Sequence, residues 1–197
     1  MVSGDLGYSS SRMVARGLLR LGASAVLALG IPGVALAQHE YAGGAPHARA
    51  VALLGPTAGH SVKGTVTFEA VTGGVRITAR IEGLPAGARG FHIHEYGDCS
   101  AADGTSAGGH YNPAGAPHAG PEAGARHVGD LGNVTAEARG TASYDRADRL
   151  VQLSGPESII GRAVIVHAAP DDLSTQPTGN AGARLACGVI GVGKVGG

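Results

Sequence analysis

From Arg49 onward, apolar and β-branched residues alternate in short runs, and glycine-rich breaks separate them. The runs fall at 50–54, 62–68, 75–81 and 91–94, with GPTAG, TGG and GLPAGARG between them. Further runs fall at 130–137, 140–145, 162–167 and 184–190. Side chains two apart on a strand share a face, so each run can bury one face and leave the other wet. No stretch sustains the 3.6-residue apolar period of a helix. Short strands with turn chemistry between them predict an all-β fold, an eight-stranded antiparallel sandwich or barrel. Two long segments, 96–128 and 168–183, carry no strand pattern. Loops of this length are usually functional or disordered. These contain or flank histidines and acids, and are expected to be functional.

The first 37 residues differ from the rest. Arg12, Arg16 and Arg20 precede a mostly apolar stretch, 21–36, and Ala35-Leu36-Ala37 has the small residues of a cleavage site. This reads as a secretory signal. The apolar stretch is interrupted by Gly22, Gly30, Pro32 and Gly33 and is short for a membrane anchor. Residues 38–48 are small, polar and Gly/Pro-rich and read as a flexible lead-in. His39 and His47 lie there and are expected to be solvated, with loose binding of a metal ion as the alternative. Residues 49–197 are then one domain, in a periplasm or outside the cell. The formal net charge of the whole chain is zero, which gives no electrostatic reason to expect nucleic acid or an anionic membrane as partner. Cys99 and Cys187 are the two cysteines. In an oxidising compartment they are expected to pair, with two buried thiols as the alternative.

His92 and His94 form an H-x-H pair in GFHIHEYGDC, and on a strand both rings project to one face. His110 stands in GGHYNP, His118, His127 and Asp130 in PHAGPEAGARHVGDLGN, and His167 in IIGRAVIVHAAPDD. Six histidines and an aspartate beside loops and strand ends are poor material for a packed core. They exceed what one four-coordinate ion needs. Imidazoles alone suit copper, whereas imidazoles with a carboxylate suit tetrahedral zinc. Seven side chains for two four-coordinate ions leave one ligand shared.

The stretches GFHIHEYGDC, GGHYNP, RHVGDLGN, IIGRAVIVH and GNAGARLACGVIG together resemble the copper/zinc superoxide dismutase family. The resemblance spans most of 49–191. It implies a Greek-key barrel and a disulfide between Cys99 and Cys187. It implies copper on His92, His94, His110 and His167, and zinc on His110, His118, His127 and Asp130, with His110 as the bridge. It also implies Arg184 as an anion-guiding residue, Asp171 as the carboxylate that joins a copper ligand to a zinc ligand, and, more weakly, Thr178 as part of the anion channel. The activity implied is dismutation of superoxide to O2 and hydrogen peroxide, in a homodimer. The segment between Asp172 and Thr178, LSTQP, is shorter than in familiar animal members and carries no charge. Lys63 and Lys194 are the only lysines, so weak steering of the anion is expected.

A copper-delivery protein on the same fold would lose copper ligands and gain cysteine pairs, and no CxxC occurs here. A metal store would have no use for Arg184. Three motif matches are set aside. The GxGxxG of Gly191, Gly193 and Gly196 and the GxxxxGK from Gly188 to Lys194 precede no helix pattern. The sequon at Asn133 lies in a predicted strand.

Overall fold

The computed structural model describes residues 47–195. The expected signal segment 1–37, His39 and most of the expected lead-in lie outside the described residues. The eight strands are β1 (Arg49–Pro56), β2 (Lys63–Val71), β3 (Gly74–Glu82), β4 (Gly87–His94), β5 (Asp130–Ala136), β6 (Thr141–Asp148), β7 (Ala163–His167) and β8 (Arg184–Val192). All pairings are antiparallel, and the strands close into a barrel in the order β1-β2-β3-β6-β5-β4-β7-β8. The neighbours β3–β6 and β4–β7 are not consecutive in sequence, which is the Greek-key crossing. Closure removes free sheet edges. Among the described residues no helix is long and apolar enough to cross a membrane.

Alternation along each strand builds the interior. Ala50, Ala52, Val66, Phe68, Ile77 and Ile81 are fully buried and point inward from β1, β2 and β3. Phe91 and Ile93 from β4 and Val164 and Val166 from β7 meet them in the same core. Phe91 stacks edge-on against Tyr144, at 5.1 Å between ring centres. The outward face of β4 carries His92 and His94, and that of β7 carries Ala163, Ile165 and His167. All five are buried as well. The outer face is dry here because the two long loops lie over it.

Strand β4 begins four residues before the apolar run that announces it. Its GARG start pairs with β5, Gly87 opposite Ala136 and Gly90 opposite Asn133. Pairing across the sheet overrides the turn character of the glycines. The register of β4 on β5 shifts between Gly90 and His92, and that of β7 on β8 between Val166 and His167. Bulges re-aim side chains. Both of these fall at histidines of the outer face.

The loop between β4 and β5 contains one turn of 3-10 helix, Thr105–Ala107. A disulfide between Cys99 and Cys187 fixes it to β8, with Cα atoms 5.8 Å apart. Ala107, Ala163, Ile165 and Cys187 form a second small apolar cluster beneath it. The loop also docks on β4 at Ile93, whose N–H donates to Gly129 and whose carbonyl accepts from Tyr111 (3.0 and 2.8 Å). A side chain at Gly129 would run into the Ile93 carbonyl, so the close approach requires glycine.

Candidate metal centre

Two clusters of potential ligand atoms sit on the covered outer face. His92, His94, His110 and His167 form one, and His110, His118, His127 and Asp130 the other. Within each cluster the ligand atoms lie within 4.8 Å of one another, and every residue is buried. The seven residues singled out in the sequence are brought together, and His110 belongs to both sets.

Hydrogen bonds settle which ring atom each histidine can offer. In the first cluster, Nδ1 of His94 donates to the Gly108 carbonyl (2.9 Å) and Nδ1 of His167 to the Gly182 carbonyl (3.1 Å). Their Nε2 atoms face each other at 3.2 Å. His92 is turned the other way. Its Nε2 donates to Asp171 Oδ2 (2.8 Å), and its buried Nδ1 has no partner. His110 uses Nδ1 toward Asp130 Oδ1 (2.8 Å) and keeps a buried Nε2 without partner. It thus presents one nitrogen to each cluster.

In the second cluster three Nδ1 atoms converge on one carboxylate oxygen. Asp130 Oδ1 lies 2.8 Å from His110, 2.9 Å from His118 and 3.1 Å from His127. Its other oxygen accepts from the N–H groups of His127 (3.0 Å) and Ala119 (3.2 Å). Buried nitrogens without partners are costly. Their convergence is the arrangement a cation relieves, and three imidazoles with a carboxylate match a tetrahedral zinc set. Four imidazoles match copper.

The electrostatics agree. Burial, reinforced by the neighbouring imidazoles, holds His92 and His94 well below the usual histidine range. Burial pushes His167 down to about 4. Burial also lowers His127. Metal binding requires neutral imidazole, so these rings are ready at neutral pH. His118 is the exception. Burial opposes its charge, but Asp130 and Asp171 outweigh it and raise the pKa. For Asp130 burial favours the neutral form. Hydrogen bonds from His110, the Ala119 N–H and His118 overcome it and keep the carboxylate ionised.

Asp171 spans the two clusters. One oxygen accepts from His92 (2.8 Å) and the other from His118 (3.0 Å). Arg184 starts β8 beside the first cluster. Its guanidinium donates to the carbonyls of Gly104 (2.5 Å) and Gly108 (2.6 Å), both in the disulfide loop. The Gly108 oxygen therefore serves both Arg184 and His94. Arg184 also lines a small cavity with His60, Asp103 and Thr105. Thr178 is half-buried on the loop before β8.

Several supporting residues carry no signal in the sequence. Buried Arg126 donates to the carbonyls of His127 (2.8 Å) and Asp130 (3.2 Å) and pairs with buried Asp148. It clamps the turn that holds two members of the second cluster. Asn133 pairs with the main chain of Asp171, accepting its N–H (2.8 Å) and donating to its carbonyl (2.9 Å).

The sequence model of the family described as "Copper/zinc superoxide dismutase (SODC)" matches residues 62–190. Among solved structures, that of the clock protein EA4 is similar, at 44% sequence identity and a TM-score of 0.69. The match covers 75% of this chain and 96% of that one. With the barrel and both clusters in place, the chain belongs to the copper/zinc superoxide dismutase family.

Proposed function

We propose that the protein dismutes superoxide to O2 and hydrogen peroxide, with copper held by His92, His94, His110 and His167 and zinc by His110, His118, His127 and Asp130. The observation that carries this reading is the pair of clusters sharing His110, with its two ring nitrogens on opposite sides. Copper would supply one-electron exchange with the substrate, and zinc, which has no redox chemistry, would be structural. The protein's own groups do the rest. Arg184 receives the anion, since a guanidinium is permanently charged and matches a small oxyanion. The two carbonyls that hold it fix its direction. His110 can carry a proton at Nε2, the nitrogen without a protein partner. Asp171 orients one ring from each cluster, as carboxylates do for metal-bound histidines.

Residues 1–37 are taken as a secretory signal and 49–197 as the functional domain, in a periplasm or outside the cell. The disulfide supports an oxidising compartment. Pairing of two copies is proposed across β1, the disulfide loop and the C-terminal segment. Leu53, Val189 and Val192 are exposed on β1 and β8 there.

The test is superoxide consumption by protein loaded with copper and zinc. Turnover is expected, with about one of each ion per chain, and loss on copper removal or in His110→Ala. Binding of both ions without turnover would favour a metal store.

A further inference from the structure

The loop from Asp171 to Asn180 is short, but it is ordered from within. Asp172 accepts at Oδ1 from the N–H groups of Ser174 (3.0 Å) and Thr175 (2.8 Å). Its Oδ2 accepts from the Thr175 hydroxyl (2.6 Å) and the Asn180 amide (3.1 Å). The main chain closes the loop through Gly179 N–H to Thr175 O (2.7 Å) and Asp172 N–H to Gly179 O (2.9 Å). Gly179 has a φ of +65°, and a side chain there would overlap Asp171 and crowd His118. The loop is a compact platform set against the second cluster.

Gln176 rides on this platform and reaches across to the other loop. Its Oε1 accepts the N–H of His118 (2.8 Å), and its Nε2 donates to the His118 carbonyl (2.8 Å). A further bond from Nε2 to the Ser174 carbonyl (3.1 Å) fixes the amide plane. The side chain thus imitates a neighbouring strand for one residue of a segment with no strand structure. The ring of His118 is held by Asp130 and Asp171, and its backbone by Gln176.

We infer that Gln176 is a positioning residue for the second metal: its amide fixes the backbone of His118, so that the short loop serves zinc retention. The inference rests on the two-metal reading above. Outer partners of metal ligands commonly change affinity by about 10–100-fold. Gln176 acts on a ligand's backbone, and the lower end of that range is expected.

The test places cobalt(II) at the second cluster of copper-loaded protein and follows its visible absorption bands during challenge with a chelator. Gln176→Met keeps the length of the side chain but has no amide to hydrogen-bond. Gln176→Glu keeps the acceptor and sets a carboxylate oxygen against the His118 carbonyl. Both are expected to release cobalt about tenfold faster than the parent, with shifted or broadened bands, while retaining copper. Parental release rates and parental bands in both variants would overturn the inference. A parent protein with no tetrahedral cobalt signal would overturn the two-metal reading and this inference with it. The two failures are therefore distinct.

Discussion

Removing the disulfide should cost more than any surface change, and its cost can be worked from the loop it closes. The cysteines are separated by 88 residues. In the chain-entropy model a loop of that length loses roughly 15 cal/mol/K, or about 4–5 kcal/mol at 25 °C. A domain of this size has a total stability of about 5–15 kcal/mol, so the loss would be a third or more of it. At about 2–4 °C per kcal/mol for such a domain, the midpoint of thermal unfolding should fall by roughly 8–20 °C. The perturbation is the double change Cys99→Ser and Cys187→Ser, which leaves no odd thiol. Metal-free forms should be compared, because bound ions stabilise the folded state by mass action. Denaturant unfolding at two protein concentrations separates the effect from dimer dissociation. The loop also carries the Gly104 and Gly108 carbonyls that hold Arg184, so the metal-loaded variant should lose activity out of proportion to its metal content. A change below about 1 kcal/mol, with an unchanged denaturant slope, would refute the entropic reasoning. Full activity would refute the link to Arg184.

Three further outcomes follow from the site. Asp171→Asn turns an amide donor toward one of two ring N–H donors, and should weaken metal retention about 10–100-fold in chelator competition; parental retention would show that the carboxylate does not orient the rings. In metal-free protein, His92, His94 and His167 are buried neutral, with His167 at about 4 against 6.5 for a free ring. The unfolded chain binds more protons between those values, so stability is present at pH 7 and is lost as pH falls from about 6.5 toward 4; a flat thermal unfolding midpoint from pH 7.5 to about 4.5 would contradict this. Finally, with LSTQP uncharged, raising ionic strength from about 10 to 150 mM should slow superoxide consumption by less than about twofold, and a tenfold fall would restore long-range steering.

The strands were legible because alternation is a local signal. All eight runs became strands, and the errors lay at ends where pairing decides, as with the GARG start of β4. The residues of the two clusters were legible because histidine is expensive to bury without a purpose. What the sequence hid was the support between distant segments. Asn112 with Ala116, Asn133 with Asp171 and Gln176 with His118 are each an amide paired to a main-chain N–H and C=O. Two of the three join residues 38 and 58 positions apart. No periodicity or spacing marks such a residue, since its partner is set by the path of an irregular loop. Arg126 is hidden for the same reason: buried arginine is rare, and only the folded turn shows the carbonyls it serves.

The two clusters differ in what carries them. His92 and His94 lie on β4 and His167 ends β7, neighbours in the barrel, while the shared His110 lies in the loop beside His94. His118 and His127 lie in a loop, and only Asp130 begins a strand. Three donors on paired strands keep their spacing whatever fills the set, and so select an ion largely by shape. A donor set on a loop can adjust, and so selects by donor type and abundance. Copper outranks zinc for nitrogen donors in both settings. On the proposed two-metal reading, excess copper should therefore enter the loop-borne set as well. The order in which the ions are added would then matter to the product, and the reason would lie in the scaffold: one set takes its shape largely from the barrel, the other from a loop.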